Sequence, residues 1–269
     1  MELQTEILSD NSKIEDLRGF LDGYTERFNQ IGFIENDPVS IPHRFNQLQD
    51  IEIMAFWTAM LSWGNRKSII QSCNKIAALM DDSPHDFILN HIEQDRARFD
   101  VFVHRTFNST DAIYFLEFFQ NYYRSHDSLE DAFAIYLSDE DINVEKALTG
   151  FHNLFFDHPY APERTRKHIA TPLRKSTCKR LNMFLRWMVR KDDKGVDFGL
   201  WQKITPAQLL LPLDVHVDNV ARNLGLIDRK QTDWLTVLEL TDKMKLLDPN
   251  DPVKYDFALF GLGVDKYFG

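Results

Sequence analysis

Apolar residues recur along this chain at three- and four-residue intervals almost from end to end, the period of an amphipathic helix. In "NSKIEDLRGFLDGYTERF" they place Ile14, Leu17, Phe20 and Leu21 on one face behind an Asn11/Ser12 start. "DIEIMAFWTAMLSW" is apolar nearly all round, which predicts a buried central helix. "RKSIIQSCNKIAALM" follows a short Gly64-Asn65 turn. "STDAIYFLEFFQNYY" and "SLEDAFAIYL" each open on a Ser with an acid close behind, a helix-start signature. "NVEKALTGFHNLFF", a basic segment, "TDWLTVLELTDKMKLL" and a short closing stretch in "DPVKYDFALFGLG" continue the pattern. Sustained alternation and Asn-Gly or Asp-Gly turns between β-branched runs are missing. The expectation is an all-α fold of roughly ten to twelve helices joined by short loops.

Composition sharpens this picture. With 269 residues, 43% of them apolar, including 21 Phe and 5 Trp, the chain can bury a large core as one domain or two packed lobes. No apolar run approaches the roughly 18 to 20 residues that cross a bilayer. The opening is polar and acidic, unlike a signal peptide. Two cysteines, Cys73 and Cys178, supply neither a disulfide framework nor a four-thiolate metal site. A cytoplasmic protein is expected.

The net charge of -10 argues against nucleic acid until its placement is considered. From Arg164 to Lys194 the chain carries eleven Lys and Arg against Asp192 and Asp193 alone. A basic surface on an acidic body can hold phosphates, because local potential governs the contact. A solvated charged helix face explains the same run without a ligand. The three prolines of "DHPYAPERTRKHIATP" mark either a boundary between lobes or a loop that presents basic residues.

Two segments carry candidate chemistry. In "STCKRLNMFLRWMVRK", Leu181, Phe184, Leu185 and Met188 form a core-facing stripe, while Lys179, Arg186 and Arg190 share another face with Asn182 between them. Cations on a rigid helix suit a phosphate backbone. If Ser176 or Thr177 caps this helix, Lys179 stands in its first turn, where the dipole and neighbouring cations favour a neutral, nucleophilic amine. Thr171-Pro172 is an equally good helix start, and an ordinary surface lysine fits the same position. In "LLLPLDVHVDNVARNLGL", Val217, Val220, Ala221 and Leu224 repeat at helical spacing, which places Asp214 at or beside the N-cap. Capping alone accounts for an Asp there, and a capping carboxylate is also rigid and ionised, as a charge-stabilising group must be. His216 and Asp218 lack partners at metal-ligand spacing and read as surface or phosphate-adjacent groups.

"PLDVHVDNVARNLGL" resembles the proline/aspartate segment of the helix-hairpin-helix DNA glycosylase superfamily, and "CKRLNMFLRW" is similar to the helix after that family's hairpin. "EIMAFWTAMLSWGNRKSIIQSCNKIAALM" looks like the family's early helix pair and "DPVKYDFALFGLG" its closing helix. The whole chain also resembles an uncharacterised bacterial family of about this length, related to these glycosylases. The resemblance implies a two-lobed all-α fold with a degenerate hairpin, a helical-barrel lobe over about 46–156, and a second lobe from about 1–45 and 157–269. It implies Lys179 as the nucleophile and Asp214 as the carboxylate that stabilises an oxocarbenium-like sugar. Arg174, Lys175, Arg180, Arg186, Arg190, Arg66 and Lys67 then contact DNA, and Trp63, Asn65 and Phe184 are candidates for the base pocket by location. Neither cofactor nor metal is implied. The partner is double-stranded DNA with a damaged base, 8-oxoguanine by analogy, bound by a monomer.

The chain departs from that pattern at the hairpin, where "ATPLRKST" has no glycine, and in a stretched Lys179-to-Asp214 spacing resembling archaeal 8-oxoguanine glycosylases. The four-cysteine iron–sulfur loop is absent. Three readings follow: a glycosylase with lyase activity, a non-catalytic DNA- or RNA-binding relative, and a helical interaction protein that binds no nucleic acid.

Overall fold

The computed structural model describes residues 11–268; the polar opening, residues 1–10, lies outside them. Among the described residues the helices are α1 (Asn11–Phe28), α2 (Ile31–Ile34), α3 (Leu48–Leu61), α4 (Arg66–Leu79), α5 (Pro84–Asn90), α6 (Glu93–Arg96), α7 (Ser109–Tyr123), α8 (Asp131–Ala134), α9 (Glu145–Phe155), α10 (Lys179–Val189), α11 (Val215–Asn223), α12 (Trp234–Leu247) and α13 (Tyr255–Val264). Short 3-10 turns link several of them. The one sheet among these residues is a two-stranded antiparallel hairpin of β1 (Val103–His104) and β2 (Phe107–Asn108). The described residues are all-α apart from that two-stranded hairpin. None of these helices is long and apolar enough to cross a membrane.

The expected helix in "SLEDAFAIYL" is a single turn, α8. The Ser128 hydroxyl accepts from the Glu130 N–H at 3.1 Å and, with the Leu129 N–H, donates to the buried Glu52 carboxylate at 2.6 and 3.0 Å. The short helices α5 and α6 have too few apolar positions to show a period in the sequence.

The chain divides into two compact units, Met1–Phe33 with Asp139–Glu145 and Thr171–Gly269, and Ile34–Ser138 with Lys146–Ala170. The lobes expected from the sequence were about 46–156, and about 1–45 with 157–269. Residues 139–145 belong with the first unit because Val144 N–H donates to Gln208 O at 3.1 Å and Lys245 Nζ to Ile142 O at 3.0 Å. The proline-rich segment belongs with the second because its residues 164, 165 and 168 converge on Asp111.

The second unit is built around α3, which buries residues 51–61 without a break, as its all-round apolarity predicts. Phe56 meets Phe115, Phe119, Phe151 and Phe155, each at a centroid separation of 6.0 Å or less. Asp111, in the first turn of α7, is fully buried and ties the proline-rich segment to this core. It accepts from Asn108 N–H at 2.9 Å and Thr165 Oγ1 at 2.7 Å, pairs with Arg164, and lies 3.3 Å from His168 Nε2. Burial alone raises its proton affinity, but His168 and the two hydrogen-bond donors outweigh burial and bring the carboxyl down to about 2. A carboxyl held below its ordinary value stabilises the fold above that value and loses the effect as the pH falls through its folded value. Asp111→Asn is therefore expected to cost about 2 kcal/mol at pH 7. The gap to wild type should close as the pH falls from about 4 to 2 in urea titrations over a pH series.

In the first unit α13 packs against α1 and α11. Gly261 gives α1 its close approach: a Cβ there would lie 2.2 Å from the Phe28 ring. Leu209, Leu210, Leu211 and Leu213 are buried in an extended run whose Leu211 N–H donates to Thr241 Oγ1 of α12 at 3.2 Å. This anchored run delivers Asp214 to the start of α11.

Candidate functional site

Asp214 is the N-cap of α11, as its place before the apolar repeat predicts. Its Oδ1 accepts from His216 N–H at 2.9 Å and Val217 N–H at 3.0 Å. Those two bonds use one oxygen and orient the other. Oδ2 lies 3.9 Å from Nζ of Lys179, and both side chains keep about a quarter of their surface, 28% and 26%. The fold thus brings together two residues 35 positions apart in the chain.

Lys179 is the first residue of α10, in the first turn as expected, but the cap differs from the expectation. Thr171 caps the preceding 3-10 turn, Pro172–Arg174, and the residue before Lys179 is Cys178 in a left-handed conformation, φ 49°. Lys175 is left-handed too, φ 57°, so the glycine-free turn before α10 takes positive φ at two side-chain-bearing residues. Each such residue costs roughly 1 to 2 kcal/mol. The turn is held by Lys175 N–H donating to Pro172 O at 2.8 Å and Trp234 N–H donating to Lys175 O at 3.1 Å. Asn182, expected among the surface cations, is buried and donates from Nδ2 to Thr177 O at 3.1 Å, bracing the turn from inside.

Two expected DNA contacts turn inward. Arg186 is 5% exposed and pairs with Asp197 Oδ1 at 3.2 Å and with Asp256 of α13. Arg190 is 3% exposed and pairs with Asp192 at 2.7 Å, Asp251 at 2.9 Å and Asp197 at 3.1 Å. Their helical spacing is right, but carboxylates from the following loop and from the segment entering α13 claim the face they share. Phe184 is likewise core, fully buried and edge-on to Trp201 at 5.3 Å, so it lines no open base pocket. Arg180 is half-buried, while Arg174 and Lys175 are exposed. Asp218, read as surface, is mostly buried and accepts from Arg222 Nε at 2.9 Å.

Trp63, Asn65, Arg66 and Lys67 belong to the second unit. Trp63 is half-buried, edge-on to His104 at 6.0 Å, with the Arg105 guanidinium 5.2 Å from its ring centroid. Gly64, φ +105°, leaves the space that the Arg105 side chain fills. Asn65 caps α4, accepting from Ser68 N–H at 3.3 Å, and Arg66 and Lys67 are exposed in its first turn. Among the described residues, no group of three or more His, Cys, Asp or Glu is placed to hold a metal ion.

Sequence reasoning missed Asp256, the one acid inside the apolar stretch "YDFALFGLGV" and 7% exposed. Burial pushes its carboxyl up to about 6; Arg186 and Lys179 pull it down, while Asp214 and Asp197 push it further up. A lone acid in an otherwise apolar helix was the available signal.

The exposed cations of this turn lend themselves to a direct measurement. Were duplex DNA the partner, Arg174→Ala and Lys175→Gly would each reduce the slope of log affinity against log salt by about one, without lowering stability. Glycine at 175 keeps the left-handed turn and removes only the charge. Fluorescence anisotropy over a salt series reads the slope, and an unchanged slope in both variants would place the DNA elsewhere.

No curated protein and no solved structure matches the chain. The family described as "Protein of unknown function (DUF2400)" matches residues 37–265, a span that includes the Lys179–Asp214 pair and Asp256, and the chain belongs to that family.

Proposed function

We propose that the protein is a DNA glycosylase with lyase activity, of the helix-hairpin-helix type, acting on an oxidised base in duplex DNA. The observation that carries this reading is the approach of Lys179 Nζ to Asp214 Oδ2, 3.9 Å, at a half-open site where Oδ1 is tied to a helix N-terminus. A target base reaches such a site only by leaving the helical stack. The Lys179 amine, once deprotonated, attacks the sugar C1′ as the glycosidic bond breaks, and the base departs with the bonding electrons and takes a proton from water. Asp214 stabilises the positive charge that develops on the sugar and accepts a proton from the attacking nitrogen. Ring opening then gives an imine between Lys179 and C1′, and loss of a C2′ proton expels the 3′ phosphate. The N-cap bonds hold the carboxylate in place throughout, so little reorganisation accompanies the charge change.

A second reading, a DNA- or RNA-binding relative without turnover, draws support from the glycine-free turn before α10 and from the exposed Arg174 and Lys175 beside it. Borohydride trapping separates the two. Wild type and Lys179→Gln are incubated with duplexes carrying 8-oxoguanine, an oxidised pyrimidine or an abasic site. A covalent adduct formed by wild type and lost in the variant is the expected result, and the duplex that traps best names the substrate. Salt-sensitive binding without trapping would replace the enzyme with the binding module.

A further inference from the structure

The second unit holds a pocket of about 220 Å³ between α7 and the end of α9, and it shares no residue with the Lys179–Asp214 pair. The i, i+4 spacing of α7 builds two of its walls. One is aromatic: Tyr114, Phe118 and Tyr122, extended past the helix by His126, whose ring stacks on Tyr122 at a centroid separation of 4.2 Å. The other is polar: Glu117, Asn121 and, past the helix, Ser125. Leu154 and Phe155 of α9 close the pocket, with the Phe118 and Phe155 ring centroids 4.3 Å apart. Asp157 and His158, just after α9, complete the lining.

Most donors in this lining are spent, while acceptors stay open. Tyr114 Oη donates to Phe155 O at 2.7 Å and Tyr122 Oη to Ser128 O at 3.1 Å. His126 Nδ1 donates to Tyr122 O at 3.0 Å, which leaves Nε2 of the neutral ring an acceptor. His158 Nδ1 accepts from Tyr160 N–H at 3.3 Å, so Nε2 carries its proton; it stands 3.6 Å from Glu117 Oε1, beyond a hydrogen bond. The Asp157 carboxylate has no hydrogen-bond or ion-pair partner among the described residues. No Lys or Arg lines the pocket: Arg166, which acts on Tyr114, lies over the Phe156 ring at 4.8 Å and pairs with Glu163 at 2.9 Å. Burial, and after it Glu117, push the Tyr114 phenol up to about 12; Asp157 adds to that and Arg166 opposes it. The pocket is therefore apolar on one side, rich in acceptors on the other, and negative at neutral pH.

We propose that this pocket binds a small organic amine as its ammonium ion, the charged nitrogen toward Glu117 and Asp157 and the apolar body against Phe118, Phe155 and Leu154. The proposal is independent of the glycosylase reading. An ammonium brings three donors and no acceptor, the complement of a lining whose open groups are mostly acceptors. A carboxylate or phosphate of the same size would meet two like charges instead. Apolar walls with a few convergent polar groups are the usual build of a small-molecule site. A volume of about 220 Å³ equals that of roughly seven waters at about 30 Å³ each, which suits one ring with a short amine arm.

Phenethylamine is the probe, with phenylacetate and phenethyl alcohol as its anionic and neutral counterparts of similar shape. Each is titrated into the nitrogen-15-labelled full chain at about pH 8, where both imidazoles are neutral and the amine is charged. Backbone amide shifts report where each compound binds. Phenethylamine is expected to saturate with a Kd of about 1 mM or below, moving amides of residues 114–126 and 154–158, while phenylacetate and the alcohol bind at least about tenfold more weakly. Glu117→Gln and Asp157→Asn should each weaken the amine roughly three- to tenfold and leave the alcohol unchanged. Both side chains are partly or fully open to solvent, and if one variant failed to fold the other would carry the test. Equal binding of the amine and either counterpart would overturn the proposal. So would an amine that fails to saturate by about 10 mM, shifts confined to other residues, or wild-type affinity in the folded variants.

Discussion

On the proposed glycosylase reading, Asp214→Asn is expected to slow base release by two to four orders of magnitude while leaving the protein nearly as stable as wild type. The two expectations separate because the two oxygens of Asp214 have separate tasks. Oδ1 accepts the His216 and Val217 N–H groups, and an asparagine oxygen in the same place accepts them as well, since Asn and Asp cap helices about equally. Oδ2 faces Lys179, and there the substitution replaces a negative oxygen with a neutral amide. Loss of a charge that stabilises the developing cation, together with loss of the proton acceptor, accounts for roughly 10²- to 10⁴-fold. Single-turnover excision beside a thermal melt measures both quantities. Asp214→Ala should lose the same rate and about 1 kcal/mol of stability besides, because it removes the cap. If Asp214→Asn retained the wild-type rate, the carboxylate would be a cap and nothing more.

Asp197→Ala is expected to destabilise the first unit by about 3 to 5 kcal/mol. Asp197 has no exposed side-chain surface and accepts from Arg186 Nε at 3.2 Å and Arg190 Nη1 at 3.1 Å. Its removal leaves two guanidinium groups buried at 4 to 6% side-chain exposure, one still paired with Asp256 and the other with Asp192 and Asp251. The cost is that of two buried charge-assisted hydrogen bonds, roughly 1.5 to 3 kcal/mol each, since each guanidinium keeps another carboxylate. Urea unfolding followed through Trp187 and Trp201, both buried in this unit, reports the change. The DNA salt slope per folded molecule should stay as in wild type, in contrast to Arg174→Ala and Lys175→Gly, because Arg186 and Arg190 work inside the protein.

Much of the helical layout was legible in the sequence because helix formation leaves a local trace. The bounds of α1 follow from the apolar period of "NSKIEDLRGFLDGYTERF", and the burial of α3 from its all-round apolarity. The Asp214 cap was legible for the same reason: a cap and the N–H groups it receives are neighbours in sequence. The approach of Lys179 to Asp214 was an expectation from resemblance, since no local pattern links residues 35 positions apart.

The misplaced residues share a physical cause. Periodicity groups Lys179, Arg186 and Arg190 on one face but is silent on what meets that face, and the partners at Asp197, Asp251 and Asp256 arrive from later segments. The turn before α10 is the converse case. Lys175 and Cys178 adopt a conformation that local preference assigns to glycine, with Trp234 N–H bonded to the turn from 59 residues away. The sequence by itself determined which stretches are helical, which faces are apolar and where the caps fall, because those depend on interactions a few residues long. The tertiary structure alone decided which cations reach solvent, which acid is buried behind the pair and how a turn without glycine stays left-handed, because a buried charge or an unfavourable backbone angle is settled by whatever distant group folds against it.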